Sequence, residues 1–260
     1  MTTRDENWPE GTPCWVDVSV DDVDKAQTFY TALFGWDVEV AGPEYGGYGS
    51  CRKDGRRVAG ITPKMSPDQP SAWTVYLASD DVDATVVKAR EAGGQVAMEP
   101  MDVGEMGRMA LVVDPGGAFV GLWQGRAQTG FELANEPGSV TWAENFSRAW
   151  KQNQGFYTAV LGWTYDDMST EGFEYAAFRA GGEVAGGIGQ IAPPMPDDVP
   201  PHWAVYFKVT DADAAVADLQ RLGGSVVRAP WDTEFGRMAA VEDDQGVFFM
   251  LMADTGQERR

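Results

Sequence analysis

"FYTALFGW" occupies residues 29–36, and "FYTAVLGW" occupies residues 156–163. Six of the eight positions are identical at an offset of 127. The likeness continues along the chain. "WTVYLASDDVDATVVKAREAGGQV" (73–96) returns as "WAVYFKVTDADAAVADLQRLGGSV" (203–226), and "GRMALVVDPGGAFVGLW" (107–123) returns as "GRMAAVEDDQGVFFMLM" (236–252). A period this long marks a duplicated domain rather than a short-repeat solenoid. The offset drifts only between 127 and 130, which fits a small insertion in the loop near Pro193 and Pro194. The chain therefore divides into domains 1–128 and 129–260. The polar, Gly- and Pro-containing stretch "QTGFELANEPGS" (128–139) reads as their connection.

Each domain is itself double. After Pro13, "WVDVSV" alternates as a strand does. Asp21 or Asp22 offers an N-cap, Ala26, Phe29, Tyr30 and Leu33 follow at helical spacing, and Gly35 ends the helix. Strand-like "WDVEVA", "YGSCRK" and "RRVAGITP" come next. The order then restarts. "WTVYLA" is a strand, Asp80 or Asp81 caps a helix striped by Val82, Val86 and Ala89, Gly93-Gly94 ends it, and "QVAMEP", "RMALVV" and "AFVGLW" follow. The pattern is βαβββ, twice per domain. Phe29 and Phe156 are expected in the core under these helices, and the Gly-Trp pairs turn the chain into the next strand.

Composition sets the bounds. The 260 residues are 43% hydrophobic and 12% aromatic, values typical of globular chains. No apolar run approaches a membrane span, and the N-terminus has no apolar leader core, so a cytoplasmic protein is expected. Cys14 and Cys51 give no disulfide framework. A formal net charge of −20 argues against nucleic-acid and anionic-membrane partners. It serves solubility or favours a cationic ligand.

The fourfold βαβββ pattern, carried by "VSVDDVDKAQTFYTALFGW", "LASDDVDATVVKAREAGG" and "VVDPGGAFVGLW", resembles the vicinal oxygen chelate superfamily of glyoxalase I, extradiol dioxygenases and bleomycin-binding proteins. The resemblance implies an α+β fold of two tandem domains, each a pair of βαβββ modules forming a curved mixed sheet around a cleft. It also implies where metalloenzymes of that family hold their ligands, on the first, fourth, fifth and eighth strands of a domain. Those positions fall at Trp15, Gly60, Thr74 and Gly121 here, and at Trp142, Gly187, Ala204 and Met250 in the second domain. None is a metal-ligand type, and His202 is the single histidine, so neither a metal nor a cofactor is expected.

Strand alternation sets Trp15 and Asp17 on the cleft face of the first domain with Tyr76, Phe119 and Trp123. In the second it sets Trp142 and Glu144 there with His202, Tyr206, Phe248 and Met250. Trp73 and Trp203 fall on the helix side. Aromatic and Met surfaces hold flat apolar ligands, and Trp faces also hold cations. Asp17 and Glu144 could pair with a ligand amine, be buried acids of raised pKa, or be hydrogen-bonded core groups. Arg108 and Arg237, in the repeated "EMGRM" and "EFGRM", pair with a carboxylate or reach a ligand carbonyl. The Pro-rich loops before the fifth strands are lids or plain connections.

Two function classes follow. The chain resembles a two-domain branch of the superfamily that includes accessory proteins of anthracycline pathways. That implies a metal-free protein binding a planar, amine-bearing aromatic molecule, sequestering product in self-resistance or assisting a pathway hydroxylase. The alternative is a metal-independent cyclase, isomerase or cofactorless oxygenase acting on an aromatic polyketide, with Asp17, Glu144 or His202 as general base. A stress-related role without a defined ligand is a third reading. Monomer and homodimer both stay open.

Overall fold

The computed structural model describes residues 2–42, 45–193 and 195–254; Pro194 and the outermost residues of both expected domains lie outside these. In the first half, β1 (Thr2–Thr3) and β2 (Pro13–Val20) precede α1 (Val23–Phe34), followed by β3 (Asp37–Val40), β4 (Gly49–Lys53) and β5 (Arg56–Pro63). The second module is β6 (Ala72–Ala78), α2 (Val82–Glu91), β7 (Gln95–Val103), β8 (Gly107–Val113) and β9 (Phe119–Gly125). After β10 (Leu133–Ala134) the series repeats as β11 (Val140–Ser147), α3 (Trp150–Leu161), β12 (Thr164–Asp167), β13 (Tyr175–Ala180), β14 (Glu183–Gln190), β15 (His202–Lys208), α4 (Ala212–Arg221), β16 (Ser225–Thr233), β17 (Gly236–Glu242) and β18 (Phe248–Ala253). No helix among the described residues is long and apolar enough to cross a membrane.

Besides the two-stranded pair of β1 and β10, the described residues form two sheets of eight strands each, in the orders β3-β4-β5-β2-β6-β9-β8-β7 and β12-β13-β14-β11-β15-β18-β17-β16. In each, two βαβββ modules meet through one antiparallel pair, β2 with β6 and β11 with β15. The first sheet curls until its ends approach. A Cβ at Gly104, in the β7–β8 turn, would lie 2.7 Å from the hydroxyl of Tyr45, which precedes β4. This encloses the concave face, the cleft.

Local chemistry sets the helix ends as the sequence predicts. Asp22 and Asp81 cap α1 and α2 by accepting from the backbone N–H of Lys25 and Ala84. Gly35 and Gly162 end α1 and α3 at φ 69° and 70°, a conformation that costs glycine least.

The convex faces pack against each other, with the helices beside them, in one continuous core. Here the repeated octapeptide gains a role beyond covering the sheet. The Tyr30 hydroxyl donates to Asp243 Oδ2 of the second domain at 2.8 Å, and Tyr157 donates to Asp114 Oδ2 of the first at 2.9 Å. The glycines turn the chain as expected. The buried Trp36 and Trp163 donate through Nε1 across the same boundary, to Gly138 O at 2.6 Å and Gly11 O at 3.0 Å. The motif recurs because the interface has an approximate twofold and needs each contact twice. Trp73, on the helix side as expected, packs on Phe207 with centroids 5.0 Å apart.

The 128–139 connection is stitched to the first domain. Phe131 N–H donates to Cys14 O at 2.7 Å, Glu132 N–H donates to Arg57 O, and β10 pairs with β1.

Candidate functional site

Trp15 and Asp17 lie on the concave face of β2, and both are buried. Trp15 Nε1 donates to Tyr48 Oη at 2.8 Å, and the Tyr76 hydroxyl donates to Asp17. The second domain repeats the group with more bonds. Tyr206 donates to Glu144 Oε1, Tyr175 donates to Oε2 at 2.7 Å, and Trp142 Nε1 is shared between Oε2 at 3.3 Å and Tyr175 Oη at 3.2 Å. Each cleft floor thus carries one acid, two tyrosines and a tryptophan.

The glycines at the positions where metalloenzymes of the family hold ligands make room for these rings. Asp17 faces Gly60 and Tyr76 faces Gly121 in the parallel registers, as Glu144 faces Gly187. A Cβ at Gly60 would collide with the Tyr48 hydroxyl, at Gly121 with the Tyr76 ring and at Gly187 with the Tyr175 hydroxyl. Gly60→Ala is expected to cost about 1–3 kcal/mol through overpacking. Chemical denaturation measures it, and an unchanged midpoint would show that Tyr48 is not held there.

Burial raises the Asp17 carboxyl to about 7, and the hydrogen bond from Tyr76 opposes this in part. Burial also raises Glu144, but three donors oppose it, from Tyr206, Tyr175 and Trp142. Hydrogen bonds to a carboxylate favour its charged form. A carboxylate offers about four lone-pair sites, so Glu144 is nearly saturated. The donor set does not fit a resident divalent metal. Each cleft floor holds one carboxylate bound up by phenols, and among the described residues no three His, Cys, Asp or Glu side chains converge.

The clefts differ. In the first, Phe131 of the connection packs on Trp15 with centroids 5.7 Å apart, Trp8 packs edge-on against Phe131, and Trp123 Nε1 donates to Gln128 O at 2.9 Å. The chain's own segments fill that end. In the second, Phe146, Ile191, Ala204, Tyr206, Ala240 and Met250 form a separate apolar cluster. Trp142, Trp231, Met238, Phe248 and Met252 border it, each half-buried.

The Pro-rich loop before β15 lies over this cluster. Met195 and Val199 pack against it. Arg148 fixes the loop by donating to Val199 O at 2.9 Å and Asp197 O at 2.6 Å. The matching loop of the first domain leaves Met65 73% exposed.

The structure brings Trp15, Asp17 and Tyr76 together in one cleft, with Trp123 at its closed end and Phe119 60% exposed at its other end. It brings Trp142, Glu144, Tyr206, Phe248, Met250 and His202 together in the other. The His202 ring lies 5.7 Å from Phe146 and 6.0 Å from Phe248, its Nδ1 is 2.8 Å from Pro200 O, and burial lowers its pKa. It stands in the wall, where burial favours its neutral form.

Arg108 and Arg237 do not join either cleft. Arg108 forks onto Asp83 of α2 at 2.7 and 2.9 Å and reaches Asp102 at 3.2 Å, while Arg237 pairs with Asp213 of α4 and with Asp232. The helix dictates this. α2 and α4 lie on the convex side, so an arginine that meets them points away from the cleft. The sequence reading missed Tyr48, Tyr175, Trp231 and Met238. Tyr48 and Tyr175 stand at the 127-residue offset, a repeat signal that could have found them.

A family model described as "Glyoxalase/Bleomycin resistance protein/Dioxygenase superfamily" matches residues 14–122 and 151–251. "Putative glyoxylase CFP32" of Mycobacterium tuberculosis is 41% identical over 266 residues, covering 99% of this chain and 100% of that protein. "Anthracycline biosynthesis protein DnrV" of Streptomyces peucetius is 38% identical over 257 residues, covering 93% of each. Among solved structures, the Mn(II)-bound glyoxalase of Novosphingobium aromaticivorans aligns at a TM-score of 0.66 and 18% identity, over 96% of this chain and 87% of that one. The 2,3-dioxygenase LapB of Pseudomonas sp. KL28 aligns at 0.64 and 13%, over 95% and 93%. At these identities the structures speak for the fold alone.

Proposed function

The chain belongs to the glyoxalase/bleomycin resistance protein/dioxygenase superfamily, and within it we propose that this member binds a planar aromatic small molecule in the cleft of its second domain, without a metal. The observation that carries the reading is the half-buried wall of Trp142, Trp231, Met238, Phe248 and Met252 around a polar floor. Such a wall offers flat faces for stacking and adaptable thioethers for an irregular edge. The relative named for anthracycline biosynthesis supports a ligand of that shape, since an anthracycline is a planar polycycle bearing an amino sugar. The net charge of −20 favours the approach of a cationic ligand. In such a pathway the protein would sequester product, giving self-resistance, or present substrate to a hydroxylase.

The test is quenching of Trp fluorescence by daunorubicin. We expect one molecule per chain, since Phe131 of the connection already packs on Trp15 in the first cleft. Trp231→Ala is expected to weaken binding roughly ten- to a hundredfold, from about 1–3 kcal/mol of stacking per aromatic contact, with the melting temperature little changed. Two molecules per chain, or binding indifferent to Trp231, would remove the second cleft as the site.

One observation favours a second reading, a metal-independent enzyme. The Asp17 carboxyl at about 7 is matched to general-base work near neutral pH. Its burial weighs against that role. Turnover of an aromatic polyketide by the purified protein, lost in Asp17→Asn, would favour this reading.

A further inference from the structure

We infer that Arg228 and Trp231 form a clamp that reads an oxygen edge on the aromatic ligand, so that the second cleft selects aryl carboxylates or hydroxyquinones over aromatic rings that lack such an edge. This rests on the proposed second-domain cleft and names the chemistry it accepts.

Three observations carry it. Arg228 pairs with Ala240 in the β16–β17 register, and Trp231 pairs with Met238; both partners belong to the cleft cluster or its border. An irregularity between Arg228 and Trp231 lets residues three apart share one face. The Arg228 guanidinium lies 3.9 Å over the Trp231 ring.

Second, Arg228 is unengaged. The other described arginines all donate to carboxylates or backbone carbonyls, as Arg108, Arg148 and Arg179 do. Arg228 is exposed and, among the described residues, has no hydrogen bond or ion pair. In a chain of net charge −20, a guanidinium held on a ring and left without a carboxylate is poised for an incoming acceptor. Its planar fork suits a carboxylate or a quinone–phenol edge, and a stacked guanidinium is already oriented.

Third, the acid of the floor is nearly taken up by the chain's own donors. Glu144 already accepts from Tyr206, Tyr175 and Trp142. The first domain has Met98 and Met101 where the second has Arg228 and Trp231, paired to Leu111 and Met109 in the same irregular register. The cation is therefore particular to the second domain.

The experiment measures Trp quenching by anthraquinone-2-carboxylate and by 9-aminoacridine, a planar cation without an oxygen edge, near 0.15 M salt, where the screening length is about 8 Å. We expect Arg228→Met to weaken the carboxylate roughly ten- to a hundredfold, the scale of one charge-assisted fork, and to leave the acridine within about twofold. Arg228→Lys, which keeps the charge and loses the fork, should fall between. Arg228 is exposed, so both variants should keep the parent's melting temperature. Equal loss for both probes, or none for the carboxylate, overturns the inference. If Trp231→Ala weakens the carboxylate while Arg228→Met does not, the cleft stands and this inference alone falls. If neither probe binds the parent protein, both readings fall.

Discussion

Replacing Asp114 with alanine is expected to lower the thermal midpoint by about 10 °C, for a loss of roughly 3–5 kcal/mol at a few degrees per kcal/mol in a chain of this size. Asp114 is buried at the junction of the two domains. Its Oδ2 accepts from Tyr157 at 2.9 Å and from Asn145 Nδ2 at 2.9 Å, and its Oδ1 accepts from the Ala118 N–H at 2.9 Å. Alanine leaves a phenol, an amide and a backbone N–H without their acceptor. Each orphaned buried donor costs about 1–3 kcal/mol.

The approximate twofold supplies an internal control. Asp243 accepts from Tyr30 at 2.8 Å and from the N–H groups of Gln245 and Val247 at 2.8 and 2.9 Å, so Asp243→Ala should cost a similar amount. Tyr157→Phe should cost less, about 1–3 kcal/mol, because two donors remain on Asp114 and only Trp203 Nε1, which donates to the Tyr157 hydroxyl at 3.3 Å, loses its acceptor. Differential scanning calorimetry on the three variants reads all of this. A midpoint for Asp114→Ala within about 2 °C of the parent would mean that the Tyr–Asp pairs do not hold the domains together.

Those pairs also mark where the sequence stops being legible. The helices, their aspartate caps and the glycine turns could be read because each is local, decided by residues three or four apart. The duplication was legible because it is a property of the string. The partner of Tyr30 is not, since Asp243 lies 213 residues away and nothing in either segment names the other. The repeat showed that Tyr30 and Tyr157 matter without showing to what.

The clefts divide in the same way. Period-two alternation placed Trp15, Asp17, Trp142 and Glu144 together on concave faces, as found. It also held the means to place Arg108. Met109 pairs with Trp123 across β8 and β9, and a residue beside Met109 must point to the opposite face. Only the register, which the string does not print, turns that into a statement. The inequality of the two clefts is illegible for a third reason. It depends on the connection folding back so that Phe131 lies on Trp15, a tertiary choice made by a segment whose composition reads as a plain loop.

Asp17 gives the second large effect, and here the two homologous acids part. Its carboxyl, ordinarily at 3.8, is raised to about 7 by burial, with one opposing hydrogen bond from Tyr76. Between those pH values the native state keeps the proton and the unfolded chain has lost it. The native state therefore binds more protons, and stability falls as pH rises. The contribution is fully present below about pH 4 and lost as pH climbs through 7. A shift of about three pH units corresponds to on the order of 4 kcal/mol. Asp17→Asn mimics the protonated acid and cannot ionise, so it should match the parent near pH 4 and exceed it at pH 8 by up to that amount. Glu144, Asp114 and Asp243 are also raised by burial and tilt both proteins alike, so the difference between the two curves isolates Asp17. Denaturant titrations from pH 4 to 8 measure it. A flat difference curve, or a variant less stable than the parent at pH 8, would mean that Asp17 is ionised in the folded protein. Glu144, with its three donors, already meets most of the acceptor demand of a carboxylate. Asp17, buried with its single donor, packs best as a neutral acid.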